Sequence, residues 1–275
     1  MAQIDLESVG FADVSERLSA RLLHNGKALV GALGIGPGEC ILDIGCGTGR
    51  LAEFVARVVG HRGRVVGIDP LTFRVNLSHR RALPNFTARV GRAEDLYAFG
   101  DSSFDVVLMN SVFHWIQDQR QALAEAARVL RPGGRIGIST LAKERPYAWR
   151  VIFDKVFGSN QPGGEDSGTW GGPNRVDSDE LRQLLEQSGF DCINAEIRSF
   201  VDHFTDVDEV IEFEFGALSS QGNPTENFFA NLPPEQRRET RAALARELGA
   251  YTTPTGIRLD RHLIFAVAYK AEQAK

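Results

Sequence analysis

The sequence predicts an α/β fold: an open sheet, mostly parallel with an antiparallel last strand, that also carries a helical cap. Three observations predict it. Between residues 40 and 140, short apolar runs alternate with stretches of helical spacing; three alternate glycines follow the first run; and a helical segment separates the last two strand-like runs. Strand–helix alternation implies parallel crossover units, and so a sheet covered by helices on both faces.

Taken in order, residues 11–35 place Val14, Leu18, Arg21 and Leu22, then Leu29 and Leu33, at helical spacing, which predicts an N-terminal helical segment over 1–35. "CILDI" (40–44) reads as the first strand. Leu51, Phe54, Val55, Val58 and Val59 then fall at i, i+3, i+4, i+7 and i+8, so the period switches from strand to helix across the glycines. "GRVVGID" (63–69) reads as a second buried strand, followed by a polar helix-like stretch to about Leu83. "NFTARVG" (85–91) reads as a third strand and "SFDVVLMN" (103–110) as a fourth. Residues 117–134 predict a helix with Leu123, Ala127 and Leu130 on one face, stopped by Pro-Gly-Gly before the strand "RIGIST" (135–140).

Beyond Thr140 the alternation lapses, and 141–177, rich in glycine and aromatics, is expected to be an irregular insertion. A helix over 178–190 and a strand over 191–204 resume it, and "DRHLIFAVAYKA" (260–271) is the last strand. Residues 206–254, with Phe213, Phe215, Phe228 and Phe229, read as a helical cap inserted into that last hairpin. The sheet core is then 36–205 together with 255–275.

Composition bounds the function. Over 275 residues, 43% are hydrophobic and 24% charged, which is globular rather than disordered or fibrous. A formal charge of −5 leaves no net basic field, so small-molecule partners are expected and nucleic acid is not. Asp5, Glu7, Asp13, Glu16, Arg17 and Arg21 interrupt the first thirty residues, so no signal-peptide core is present there, and no run approaches membrane-spanning length. A cytoplasmic location without membrane attachment is expected. Cys40, Cys46 and Cys192 form no CxxC pair, so neither disulfides nor a metal centre are expected. Oligomeric state leaves no mark on the sequence.

In open parallel sheets ligands bind beyond the carboxyl ends of strands, where strand order reverses, and the first strand–loop–helix turn lies there. Gly45, Gly47 and Gly49 let that turn tighten and the backbone approach a bound molecule. A dinucleotide fingerprint, G-x-G-x-x-G, has its third glycine where this chain has Arg50. Asp69, ending the second strand, can accept hydrogen bonds from ribose hydroxyls in either class of nucleoside cofactor. The plainer reading is a tight turn with a solvated aspartate; strand, glycines and acid together favour a nucleoside-containing cofactor.

Four stretches in order resemble the core of the class I S-adenosylmethionine-dependent methyltransferases, and particularly the group similar to the ubiquinone/menaquinone C-methyltransferases. They are "LDIGCGTGR", "VVGIDP", "GRAEDLYAFGDSSFDVVLMNSVFHWI" and "ARVLRPGGRIGI". The resemblance covers residues 40–140 and implies a Rossmann-like sheet that binds S-adenosylmethionine and releases S-adenosylhomocysteine. It implies that Asp43, Gly45, Cys46 and Gly47 line the methionine part of the cofactor and that Asp69 holds the ribose. Pro70 and Leu71 would lie on the adenine face, Ala93 and Glu94 at its edge, and Asn110 beside the methionine ammonium. Arg92 stands where the family often has Asp or Asn, and a guanidinium offers donors only. The N-terminal helix either closes over the cofactor, as leading helices of the family do, or packs on the sheet.

Transfer from a sulfonium needs chiefly alignment in a water-poor pocket. His114, just past the fourth strand, is the candidate base for an acceptor that must lose a proton; its other reading is a packing residue of the loop. Trp115, Tyr147, Trp149, Phe153, Trp170 and Phe213 suggest an apolar acceptor pocket, or else the packing of the cap. Residues 159–172, with their glycines, read as a lid or as a plain surface loop. The expected function is methyl transfer to a small apolar or aromatic acceptor. Arsenite chemistry is disfavoured by the cysteine positions. The alternatives are a nicotinamide-dependent oxidoreductase, a non-catalytic cofactor-binding protein of the same fold, and a protein acceptor.

Overall fold

The computed structural model describes residues 6–158, 174–219 and 229–271. The elements in chain order are α1 (Leu6–Leu33), β1 (Cys40–Ile44), α2 (Arg50–Val59), β2 (Arg64–Asp69), α3 (Thr72–Ser78), β3 (Phe86–Val90), β4 (Phe104–Asn110), α4 (Gln119–Val129) and β5 (Leu130–Leu141). They continue with α5 (Ala148–Phe157), α6 (Ser178–Gln187), β6 (Phe190–Phe204), α7 (Val207–Ser219), α8 (Pro234–Leu248), the two-residue β7 (Thr252–Thr253) and β8 (Gly256–Lys270). The strands form one sheet in the order β3-β2-β1-β4-β5-β8-β6, with β7 paired to the start of β8. Pairing from β3 through β5 is parallel, and β8 runs antiparallel to both β5 and β6. Strand order reverses between β1 and β4, which places the switch point of the sheet at the glycine loop.

Side chains alternate across a strand with period two, and this sorts the core into layers. Leu42, Ile44, Val66, Ile68, Val107 and Met109 face α4 and α6. Ile41, Val65, Val106 and Leu108 face α1 and α2, together with Leu29, Val30, Leu33, Val55 and Val59. Helix α1 lies close on this second layer. A Cβ on Gly137 of β5 would meet Leu33 Cδ1 at 2.5 Å, and one on Gly26 would meet the Leu51 methyls at 2.7 Å. The two glycines let backbone approach side chain, and so hold α1 against the mouth of the cleft.

A third cluster joins α5, α7 and α8 to the strand ends through Trp149, Ile152, Phe153, Phe204, Val210, Phe215, Leu244, Ile257 and Leu259. Two expectations change here. The stretch expected to be irregular contains the helix α5, whose Trp149, Ile152, Phe153 and Val156 follow the i, i+3, i+4, i+7 pattern. The helix expected over 117–134 ends at Val129; Leu130 pairs with Phe104, and the register then slips before Val106 meets Arg135, so Pro132 and its glycines bulge from the strand rather than extend the helix. No helix among the described residues is long and apolar enough to cross a membrane.

Candidate functional site

The period of two also decides which polar residues reach the cleft. Asp43 shares a strand face with Ile41, Asp69 with Val65, and Asn110 with Val106 and Leu108, so all three emerge on the α1 side at the carboxyl ends of β1, β2 and β4. They line one cavity, about 650 Å³ of atom-free space opening to solvent. Gly45, Cys46, Gly47, Arg50 and Arg74 line it as well, and Leu18, Leu22 and Leu23 of α1 cover it. A second cavity contains Pro70, Gly91, Ala93, Glu94 and Ile116, and shares Gly45, Val112 and Trp115 with the first.

The glycine loop closes tightly over Val112. Gly45, Gly47 and Gly49 have φ of 73°, 55° and 79°, a region that side chains rarely adopt, and a Cβ on Gly45 would lie 2.4 Å from Val112 Cγ2. This backbone aims the Gly47 N–H at Asp69, whose Oδ2 accepts it at 3.1 Å, while Asp69 Oδ1 accepts from the Leu71 N–H at 2.9 Å. Burial raises the Asp69 carboxyl above its ordinary range, and the Arg74 charge with these two N–H groups offsets only part of that rise. Arg74 Nη1 stands 3.9 Å from Asp69 Oδ2, itself buried.

Asp43 is different. It is 2% exposed, and its Oδ2 has no hydrogen-bond partner among the described residues. Burial, then the nearby Asp69 charge, pushes its carboxyl up to about 8. An orphaned carboxylate oxygen in a cavity wall calls for a ligand with a cationic or donor end. Cys46 is buried beside it, and burial pushes that thiol up as well. The Asn110 side chain is committed to the protein: its Nδ2 donates to Leu22 O at 3.4 Å and its Oδ1 accepts from Ser139 Oγ at 2.8 Å. Glu94 Oε1 accepts from the Gln117 N–H at 3.2 Å, and Arg92 turns to it at 3.5 Å.

The expected cofactor residues thus gather at two adjoining cavities, with the exception of Leu71, which caps α3 and reaches the site only through its N–H on Asp69. The acceptor-side residues divide. Trp115 lines both cavities. Trp149 and Phe153 are fully buried, and Phe213 nearly so, in the third cluster; they line neither cavity, because they pack α5 and α7 together. Tyr147 is partly buried against the same cluster, and its hydroxyl donates to Glu214, whose carboxyl burial pushes up to about 8. Trp170 and the stretch 159–172 lie outside the described residues.

His114 also departs from expectation. It is 4% exposed, lines neither cavity, and its Nδ1 lies 2.9 Å from Thr140 Oγ1. Burial, then the Arg175 and Arg261 charges, depresses its pKa to about 3, which keeps the imidazole neutral. What sequence reading missed is a set of charges around the cleft. Arg74 looked like one of the polar residues on a solvated helix. Glu16 of α1 pairs with Arg50 at 2.7 Å and Arg81 at 2.5 Å, and Arg81 Nε also donates to Thr48 O in the glycine loop at 3.0 Å. These partners lie 34 and 65 residues apart, and nothing local announces them.

Residues 42–138 match the family model described as a methyltransferase domain. An uncharacterized methyltransferase of Mycobacterium tuberculosis is 38% identical over 118 residues, 43% of this chain and 46% of that one. The chain thus spans about half the length of the first curated relatives it matches. The demethylmenaquinone methyltransferase of Tropheryma whipplei is 30% identical over 178 residues, 61% of this chain and 72% of that one. Among solved structures, the YcgJ protein of Bacillus subtilis superposes with a TM-score of 0.59 at 17% identity, over 90% of this chain and 99% of that one, a likeness of fold.

Proposed function

The chain belongs to the class I S-adenosylmethionine-dependent methyltransferases, and from that premise we propose that it transfers a methyl group to a small apolar or aromatic acceptor. The observation that carries the reading is the pair of buried carboxylates on one cavity wall: Asp69, already satisfied by backbone N–H groups, and Asp43, unsatisfied. The set fits a ligand with a ribose at one end and an ammonium at the other. It does not suit a pyrophosphate, because two acids against one Arg74 would repel a dianion, and Arg50 is tied to Glu16.

S-adenosylmethionine, when bound, supplies a sulfonium methyl already activated for in-line displacement. Asp43 would hold the ammonium and Asp69 the ribose hydroxyls. Pro70, Ala93 and Ile116 would form an apolar slot for the purine, with Glu94 at its edge. Leu18, Leu22 and Leu23 exclude water from the covered side. Ser111, Val112 and Trp115, at the carboxyl end of β4, form the wall nearest an incoming acceptor, and the aromatic Trp115 supports an apolar one. With His114 buried and neutral, alignment carries the rate, and an acceptor needing deprotonation would lose its proton to solvent.

The test is calorimetric titration with S-adenosylmethionine, S-adenosylhomocysteine and NADH, repeated on Asp69→Ala, then methyl-label transfer to phenols, quinols, amines and small aromatics. Binding of both sulfur nucleosides, lost in the variant, with label moving to one acceptor class, supports the reading. Binding of NADH alone would overturn it.

A further inference from the structure

The cofactor cavity is lined by two buried acids, Asp43 and Asp69, and by the largely covered Arg74, and they are unevenly paired. Arg74 projects from α3 into the wall with its side chain 11% exposed, 3.9 Å from Asp69 and lining the same cavity. Asp69 is 3% exposed at the side chain, and its oxygens are already oriented by Gly47 and Leu71. A carboxyl so buried takes up a proton unless a cation stands near it, and a protonated oxygen is a poorer acceptor for two ribose hydroxyls. Asp43, on β1, has no such companion among the described residues. We infer that Arg74 is a positioning residue for the cofactor: it favours the ionised form of Asp69 as a ribose acceptor and leaves Asp43, of these two acids, without a cation until the ligand supplies one, so that charge sets which end of the ligand lies where.

The inference rests on the cofactor reading above and adds a residue to it. Besides Arg74, the titratable groups facing Asp69 are Asp43 and the Cys46 thiol, while Arg50, also in the wall, is held by Glu16. Neither acid nor thiol can replace a cation. Arg74 acts through Asp69, and so its removal is felt most where Asp69 would otherwise take up a proton.

The experiment measures S-adenosylhomocysteine binding by calorimetry from pH 6 to 9 for wild type, Arg74→Met, Arg74→Lys, Asp69→Asn and the Arg74→Met/Asp69→Asn double variant, each checked for folding by its thermal melt. Asp43 feels the Asp69 charge as well, so each Arg74→Met Kd is divided by that of its own background, wild type or Asp69→Asn, and that ratio isolates Arg74. The expected result is a loss of tenfold or more for Arg74→Met near pH 6.5 that shrinks as pH rises. Arg74→Lys should stay within about threefold of wild type, and the Arg74→Met penalty should vanish in the Asp69→Asn background. A loss equal at every pH, or one that persists in the Asp69→Asn background, would make Arg74 merely structural and overturn the inference. If Arg74→Met fails to fold, a full loss of binding in the folded Arg74→Lys would overturn it too. Wild type that does not bind S-adenosylhomocysteine would overturn the cofactor reading, and the inference with it.

Discussion

Single residues in the cleft carry opposite electrostatic tasks, and Asp43 has the clearest consequence. Its carboxyl is raised to about 8 in the folded chain, against about 4 for a solvated aspartate. The unfolded chain therefore gives up this proton first, and the contribution of Asp43 to stability is greatest at acid pH and declines as pH rises through 8. Glu214, raised to about 8 by burial, acts with the same sign. The unliganded protein should melt at progressively lower temperature between pH 6 and 8.5, and Asp43→Asn should flatten part of that slope. A cationic ligand end favours ionised Asp43, so affinity for S-adenosylhomocysteine should rise from pH 6 to 8, by up to about tenfold per pH unit, with proton release seen as buffer-dependent binding heat. A pH-independent wild-type Kd would contradict this. For His114, bonded to Thr140 and outside the lining of both cavities, His114→Ala should lower the melting temperature and leave the shape of the pH–rate profile unchanged. Loss of one limb of that profile would restore it as a base.

At the scale of elements, helix α1 decides how the cleft opens. Leu18, Leu22 and Leu23 cover it, and the helix is tied on both sides. Glu16 binds Arg50 and Arg81 at the glycine loop, while Arg21 pairs with Glu209 of α7 at 2.8 Å and lies 4.1 Å from the Phe204 ring centroid. Burial raises the Glu16 carboxyl, but Arg81 and Arg50 more than offset it, and the net pKa is lowered. Half-exposed ion pairs of this kind contribute about 1 kcal/mol and are screened by salt. Glu16→Gln should therefore speed S-adenosylhomocysteine dissociation by about three- to tenfold at low salt, by stopped-flow, and remove most of the salt dependence seen in wild type. An unchanged rate would mean that the cofactor leaves without α1 moving. The strands β1, β2 and β4 were legible because each is a short apolar run closed by a local signal, Gly45 or Asp69 among them. The helix α5 carried its own signal in Trp149, Ile152, Phe153 and Val156, which the surrounding glycines and aromatics obscured. The clip on α1 had no local signal, since Glu16 meets Arg81 only after the sheet has formed.

Across the whole molecule, cofactor side and helical layer are built on different cores, and this separates two roles that aromatic residues can play. The sheet has one apolar layer under α4 and α6 and another under α1 and α2. The α5, α7 and α8 layer closes over a third, in which Trp149 is fully buried with Phe153 and Phe215, its ring 5.9 Å from that of Phe215. Composition alone cannot tell a packed aromatic from a pocket-lining one, because both are apolar and both cluster; only the third dimension separates Trp115, in the cavity wall, from Trp149, away from it. Deleting a fully buried Trp leaves a cavity that neighbours fill only in part, at a cost of about 3–5 kcal/mol. Trp149→Ala should lower stability by about that amount in urea melts, yet change the affinity for S-adenosylhomocysteine by no more than about threefold, since Trp149 lines neither cavity and its cluster meets the first through Leu18. Trp115→Ala should do the reverse, weakening cofactor and acceptor binding with a smaller loss of stability. A Trp149→Ala protein of wild-type stability and impaired acceptor KM would place the acceptor beneath α5 and reverse the assignment of the two tryptophans.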